Sequence, residues 1–260
     1  VPEGDTVYRA AARLHTALAG RVVERFDLRV PQLATLDLRG RTVHAVVPRG
    51  KHLLARIGDQ TLHSHLKMEG EWHVYAPGAR WRKPAFQARA IVGVATADAV
   101  GFDLAMIEVV PTTREDELVG HLGPDPLGES WDPAEAVRRL GADARAAHVA
   151  VLDQRNVAGF GNVYANELLF VRGIHPETPA TRIDAAGLIE TGARMIRANR
   201  DRPARTFTGH DRAGQRTWVY GRAGRPCRRC GTLIRETALG ASPTAERNVF
   251  WCPRCQPAPA

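Results

Sequence analysis

No stretch of this 260-residue chain approaches the roughly 18 consecutive apolar residues of a transmembrane helix, which excludes a spanning helix. The amino terminus has no basic segment followed by an apolar one, so no secretory signal is expected and a cytoplasmic protein is predicted. No internal repeat is visible, which sets aside solenoid architectures. Acidic residues are in deficit, 28 Asp+Glu against 36 Lys+Arg, for a formal net charge of +8. A basic balance of this kind favours a polyanionic partner. Cysteine is scarce as well: four residues, none before position 227.

What is present concentrates near the C-terminus. Eleven arginines lie between Arg194 and Arg229. The cysteines form two pairs, Cys227 and Cys230 in "PCRRCG" and Cys252 and Cys255 in "WCPRC", separated by residues 231–251. Two C-x2-C turns in a reducing compartment predict a tetrahedral site of four thiolates around one zinc ion, where disulfides would be the alternative in an oxidising one. Gly231 and Pro253 supply the turn chemistry. A closed set of four thiolates leaves no position for a substrate, so the metal is expected to hold the fold and no catalytic metal is expected.

The chain begins with a helical pattern. In "DTVYRAAARLHTALAG" the apolar residues Val7, Ala11, Leu14 and Leu18 recur on one face, with Asp5 or Thr6 as cap and Gly20 as terminator. From Arg21 to about Val110 short β-rich runs follow, including "TLHSHLKMEGEWHVYA" as one run, with turns at Gly40, Pro48-Arg49-Gly50, Gly58-Asp59 and Pro77-Gly78. This spacing predicts a β-sandwich or barrel. Residues 120–131 are rich in Gly and Pro and read as a linker. Asp132 then caps a helix with Pro133 at its first position. Further helices are predicted at about Ala144–Asp153, Asn162–Arg172 and Ala185–Asn199, followed by a ribbon of short strands around the cysteines. The fold class is α+β and multidomain. An N-terminal helix and β-sandwich occupy 1–119, a linker 120–131, a helical domain 132–216 and a zinc ribbon 217–257.

Between two of those helices lies "VAGFGNVYANELLF". Gly159 and Gly161 lack Cβ atoms that would block a phosphate, and Asn162 opens the next helix, whose N–H groups point outward. A glycine turn between two packed helices needs no phosphate, and that reading stands beside the first.

Taken in order, "PEGDT", "RGKHLL", "SHLKMEG", "VAGFGNVYANELLF" and "VYGRAGRPCRRCG…ERNVFWCPRC" resemble the formamidopyrimidine-DNA glycosylase/endonuclease VIII family over nearly the whole chain. The resemblance implies an N-terminal β-sandwich, a helix-two-turn-helix domain and a zinc ribbon. It also implies excision of oxidised bases from damaged DNA and cleavage of the strand, by a monomer working at the bacterial nucleoid. It assigns Pro2 as the nucleophile that forms a Schiff base with the deoxyribose, Glu3 as the catalytic acid and Lys51 as a lysine near the lesion phosphate. Met68 lies where the family inserts a side chain into the gap left by the extruded base. Asn162 and Arg247 correspond to phosphate contacts in the helical domain and the ribbon.

Departures from the family pattern narrow this expectation. Thr6 stands where many relatives carry a second carboxylate, with Asp5 just before it. The arginine-phenylalanine wedge of the oxidised-purine branch is replaced by "FDLAMIEVV", and little chain is left for a loop over an oxidised purine. Both features point to the endonuclease VIII side, with oxidised pyrimidines as substrates. The 21-residue spacer in the ribbon is longer than the family's usual one, which loosens the placing of Arg247. A secondary amine at Pro2 requires that Val1 be removed. The competing reading is a non-catalytic protein that binds damaged DNA through the same hairpin and ribbon; a ribosomal or topoisomerase-type component would have no use for the Pro-Glu start.

Overall fold

The computed structural model describes residues 2–259; Val1, whose removal the reading of Pro2 requires, lies outside them. The chain forms two compact units, the first ending at His121 and the second beginning at Leu122.

In the first unit, helix α1 (Gly4–Leu18) buries Val7, Ala11, Leu14 and Leu18, the face that the spacing predicts. Its start differs from the expectation. Glu3 occupies the cap position, and its carbonyl accepts from Thr6 N and Val7 N, so Asp5 and Thr6 already belong to the first turn. Eight strands follow: β1 (Val23–Leu28), β2 (Val43–Arg49), β3 (His52–Ile57), β4 (Gln60–His65), β5 (Glu71–Tyr75), β6 (Ala88–Val94), β7 (Ala97–Phe102) and β8 (Met106–Pro111). They make two antiparallel four-stranded sheets, ordered β1-β6-β7-β5 and β2-β3-β4-β8. Leu53, Ala55, Ile57, Ala90, Val92 and Ala99 from the two sheets share one core with the apolar face of α1. Each such side chain contributes about 1.5–3 kcal/mol on full burial, apart from the smaller alanines.

The run "TLHSHLKMEGEWHVYA" divides into two strands of different sheets. The chain crosses between sheets at 66–70, where Lys67 takes a φ of 52° and Gly70 N donates to Leu66 O at 2.8 Å. Gly70 is required there, because a Cβ would lie 2.5 Å from the Leu66 carbonyl oxygen. A short helix, α2 (Glu115–Val119), closes the unit.

The second unit contains α3 (Pro133–Gly141), α4 (Ala147–Leu152), α5 (Asn162–Arg172) and α6 (Ala185–Asn199), then a hairpin of β9 (Arg235–Leu239) and β10 (Arg247–Trp251). Asp132 caps α3 by accepting from Glu135 N at 3.0 Å, with Pro133 at the first position. Residues 122–131, most of the stretch that its Gly and Pro content marks as a linker, fold onto these helices. Gly123 N donates to Gln154 O, Pro124 O accepts from Ala158 N, and Leu127 and Trp131 pack against the helical core. Low periodicity marked this stretch as irregular, but irregular backbone is satisfied here by tertiary partners.

Candidate active site and zinc centre

In the first unit the head of α1 presents Pro2 and Glu3. Glu3 is 1% exposed, an unusual burial for a carboxylate residue, on extended backbone with φ −130°. Asp5, fully buried, turns back on its own helix: Oδ1 accepts from Thr6 N at 2.7 Å and from the Thr6 hydroxyl at 3.2 Å, and Arg9 stands 3.9 Å away. Thr6 is therefore a partner of Asp5.

Lys51 sits in the two-residue loop joining β2 to β3, since Arg49 and His52 pair across the ladder. Gly50 supplies the positive φ of 58° that this tight reversal needs. Met68 lies on the crossing between the sheets and is 66% exposed. The two turns are neighbours: burial holds the His65 imidazole down at about 4, and the Lys67 and Lys51 charges both add to that shift.

In the second unit α4 and α5 are joined by a reversal built on Gly159, φ 94°, with Phe160 buried and stacked on Tyr164. Gln154 clamps the reversal, donating to Phe160 O and accepting from Gly159 N. Asn162 is committed to the scaffold. Its Oδ1 is 3.0 Å from His148 Nε2, and its Nδ2 donates to Asn248 O on β10 at 2.9 Å. Asn166, one turn on, donates to Asn162 O and accepts from Phe250 N at 2.6 Å. Helix and ribbon are thus tied by side chain to backbone, and Arg247, exposed on β10, is one residue along the chain from the Asn248 carbonyl that Asn162 holds. Glu167 completes the tie: its two oxygens accept from Trp218 N, Val219 N and Tyr220 N.

The four cysteine sulfurs all lie within 4.8 Å of one another. Cys230 Sγ is 3.4 Å from Cys252 Sγ and 3.5 Å from Cys255 Sγ, and Cys227 Sγ is 4.0 Å from Cys255 Sγ. A tetrahedron with Zn–S bonds of about 2.3 Å has edges of about 3.8 Å, so the arrangement fits one zinc ion. Each pair rides on a turn. Gly231 N donates to Cys227 O at a φ of 79°, while Gln256 braces the second by accepting from Cys252 N.

Three family models match in chain order. They are the formamidopyrimidine-DNA glycosylase N-terminal domain over residues 1–104, the corresponding H2TH domain over 122–194 and the zinc finger of FPG and IleRS over 224–258. The chain belongs to the formamidopyrimidine-DNA glycosylase/endonuclease VIII family. Among curated relatives, "Probable endonuclease 8 2" of Streptomyces coelicolor is 53% identical, covering 100% of this chain and 95% of that one. The "DNA-(apurinic or apyrimidinic site) lyase Nei2" of Mycolicibacterium smegmatis is 45% identical over 99% of this chain and 100% of its own. A solved structure of MutM in complex with DNA containing carbocyclic 8-oxo-G superimposes with a TM-score of 0.81 at 26% identity, covering 99% of this chain.

The family's zinc finger and the sulfur geometry agree: one structural zinc ion per chain is held by Cys227, Cys230, Cys252 and Cys255. When bound, it cross-links the two turns and leaves no open coordination position. Sequence reasoning missed the scaffold roles of His148, Asn166 and Glu167: His148 meets Asn162, 14 residues on, while Glu167 and Asn166 depend on contacts with segments 51 and 84 residues away. It also missed a histidine chain under the Lys51 loop. The only local signal was "HSH", two histidines on one side of a strand.

Proposed function

We propose that the protein is a bifunctional DNA glycosylase and AP lyase of base excision repair, acting as a monomer on oxidised bases, chiefly pyrimidines. Once Val1 is removed, the Pro2 amine attacks the deoxyribose C1′ and the base departs with the C1′–N electrons. The reference α-amine pKa of about 8 leaves free base available near neutral pH. Glu3 supplies the proton that opens the sugar ring. Because the amine is secondary, the product is a charged iminium, which acidifies the sugar C2′–H and promotes elimination of the 3′ and then the 5′ phosphate.

The observation that carries this reading is the pairing of Pro2 with a buried Glu3 at the head of α1. A sheltered carboxyl beside a terminal amine suits acid catalysis and serves little purpose in a protein that only binds. Lys51 meets the lesion phosphate from its hairpin. Met68 fills the space left by the extruded base and offsets lost stacking. Arg247 grips the backbone with a fork suited to phosphate, and Asn162 donates to it through the second hydrogen of the Nδ2 that is tied to Asn248 O. The substitution of "FDLAMIEVV" for a purine-branch wedge supports pyrimidine substrates. Among the described residues no helix is long and apolar enough to cross a membrane; work at the nucleoid follows from damaged DNA as the substrate.

The test is a panel of duplexes, each with one lesion. The reading predicts faster excision of thymine glycol or 5-hydroxyuracil than of 8-oxoguanine, ending in a gap with phosphate at both ends. Preference for 8-oxoguanine would reverse the branch assignment, and no excision of any lesion by mass-verified protein starting at Pro2 would leave the binding-only reading.

A further inference from the structure

A chain of histidines under the Lys51 loop has no part in the chemistry above. His52 directly follows Lys51 and pairs with His65 across the β3–β4 ladder, while His63 pairs with Glu108 across β4–β8. All four lie on the face of the sheet opposite Leu53, Ala55 and Ile57, which face the sandwich core. His52 Nδ1 is 2.8 Å from His63 Nε2, and His63 Nδ1 is 2.9 Å from Glu108 Oε2.

The order of donors follows from the end of the chain. A carboxylate accepts, so His63 donates through Nδ1–H. A neutral His63 then has only a lone pair at Nε2, which makes His52 Nδ1–H the donor and leaves His52 with a bare Nε2. One carboxylate thereby sets the tautomers of two rings in series. Burial keeps the rings neutral, holding His63 below its usual range and His52 at about 3. The charged and titratable groups facing the cluster are Lys51, Lys67, Glu108, His65 and His121. Next to it, His65 Nδ1 accepts from Lys67 N at 2.9 Å, pinning the left-handed residue ahead of Met68, and its ring stands edge-on to His52 at 5.0 Å.

We propose that His52, His63 and Glu108 form a positioning chain that fixes the Lys51 hairpin for its phosphate contact. The inference rests on the reading of Lys51 given above. A two-residue loop at the end of a hairpin is held mainly by its ladder, and a lysine on it has four rotatable bonds. Anchoring the adjacent residue through two strands restricts the origin of that side chain, and a misplacement of about 1 Å can cost on the order of 100-fold in rate. Neutral rings also avoid adding charge beside Lys51.

The test uses the full zinc-loaded chain starting at Pro2. Glu108 is half exposed, so Glu108→Ala removes the anchor with little risk to folding, and melting temperature is measured alongside. The chain predicts a single-turnover rate on abasic duplex lowered at least about tenfold, with Kd for a tetrahydrofuran-containing duplex changed less than about threefold. His63→Gln can donate to Glu108 and accept from His52, and it is expected to stay within about threefold of the parent rate. Lys51→Ala with Glu108→Ala should be no slower than Lys51→Ala alone, because both act on one step. A folded Glu108→Ala enzyme cleaving at full speed, or additive losses in the double variant, would overturn the inference alone, provided Pro2→Gly abolishes covalent trapping. Full-speed cleavage by Lys51→Ala would overturn both the inference and the reading of Lys51.

Discussion

Glu167 illustrates how one side chain can carry a tertiary junction. Burial pushes its carboxyl up to about 7, against three backbone N–H donors that favour the anion. Glutamine in its place would offer one acceptor oxygen and turn an amide N–H toward a backbone donor. Glu167→Gln is therefore expected to lower stability by about 1–3 kcal/mol, measured by thermal or urea unfolding. An unchanged midpoint would mean that the three donors are satisfied without it. Histidines act in the opposite direction with pH. Burial holds His52 at about 3 and His65 and His148 at about 4, so the unfolded chain binds protons below 6.5 that the folded chain refuses. Their contribution is full above pH 6.5 and fades as pH falls toward those values. Glu167 is raised in the folded state, so its contribution is full below the usual carboxylate range and fades as pH rises through 7. The melting temperature is expected to fall from pH 6.5 toward 4, more steeply in Glu167→Gln, which lacks the opposing group. A rise over that interval would contradict neutral buried histidines.

Among the elements, α5 and α6 run over the residues that their patterns predict, and the reason is punctuation. Gly173 at φ 69° ends α5, and Asp184 caps α6 through Gly187 N. The division of β4 from β5 was not legible, because the crossing turns on Lys67, whose left-handed backbone carries neither Gly nor Asn as a signal. Helix α1 starts two or three residues ahead of the cap that Asp5 or Thr6 suggests, because Glu3 caps with its backbone and makes no side-chain cap hydrogen bond. Candidate site residues were visible one by one, whereas the ties that hold them depend on cross-strand register and helix-to-ribbon docking. The ribbon's small core, Val219, Ile234 and Phe250 around the buried Cys227 and Cys252 with Phe170 of α5 against them, is expected to depend on the metal. Stripping zinc with a chelator is expected to abolish duplex binding while the first unit keeps its folding transition. Binding retained after verified zinc loss would remove the ribbon from the interface.

For the whole molecule, the excess positive charge has a structural as well as an electrostatic side. Several C-terminal arginines are engaged with backbone carbonyls: Arg228 with Thr217 O and Gly214 O, Arg216 with Asp211 O, Arg222 with Pro226 O. A carbonyl partner fixes a guanidinium without pairing it with an anion, so the charges of Arg216 and Arg228 remain available to a polyanion, while Arg222 is buried in the scaffold. The catalytic reading converges on a single atom, the Pro2 nitrogen. Borohydride reduction of protein mixed with abasic duplex, followed by peptide mass mapping, tests it most directly. The account predicts a covalent adduct of one protein and one DNA strand located on Pro2 and lost in Pro2→Gly; an adduct on another residue, or none from protein verified to begin at Pro2, would contradict it.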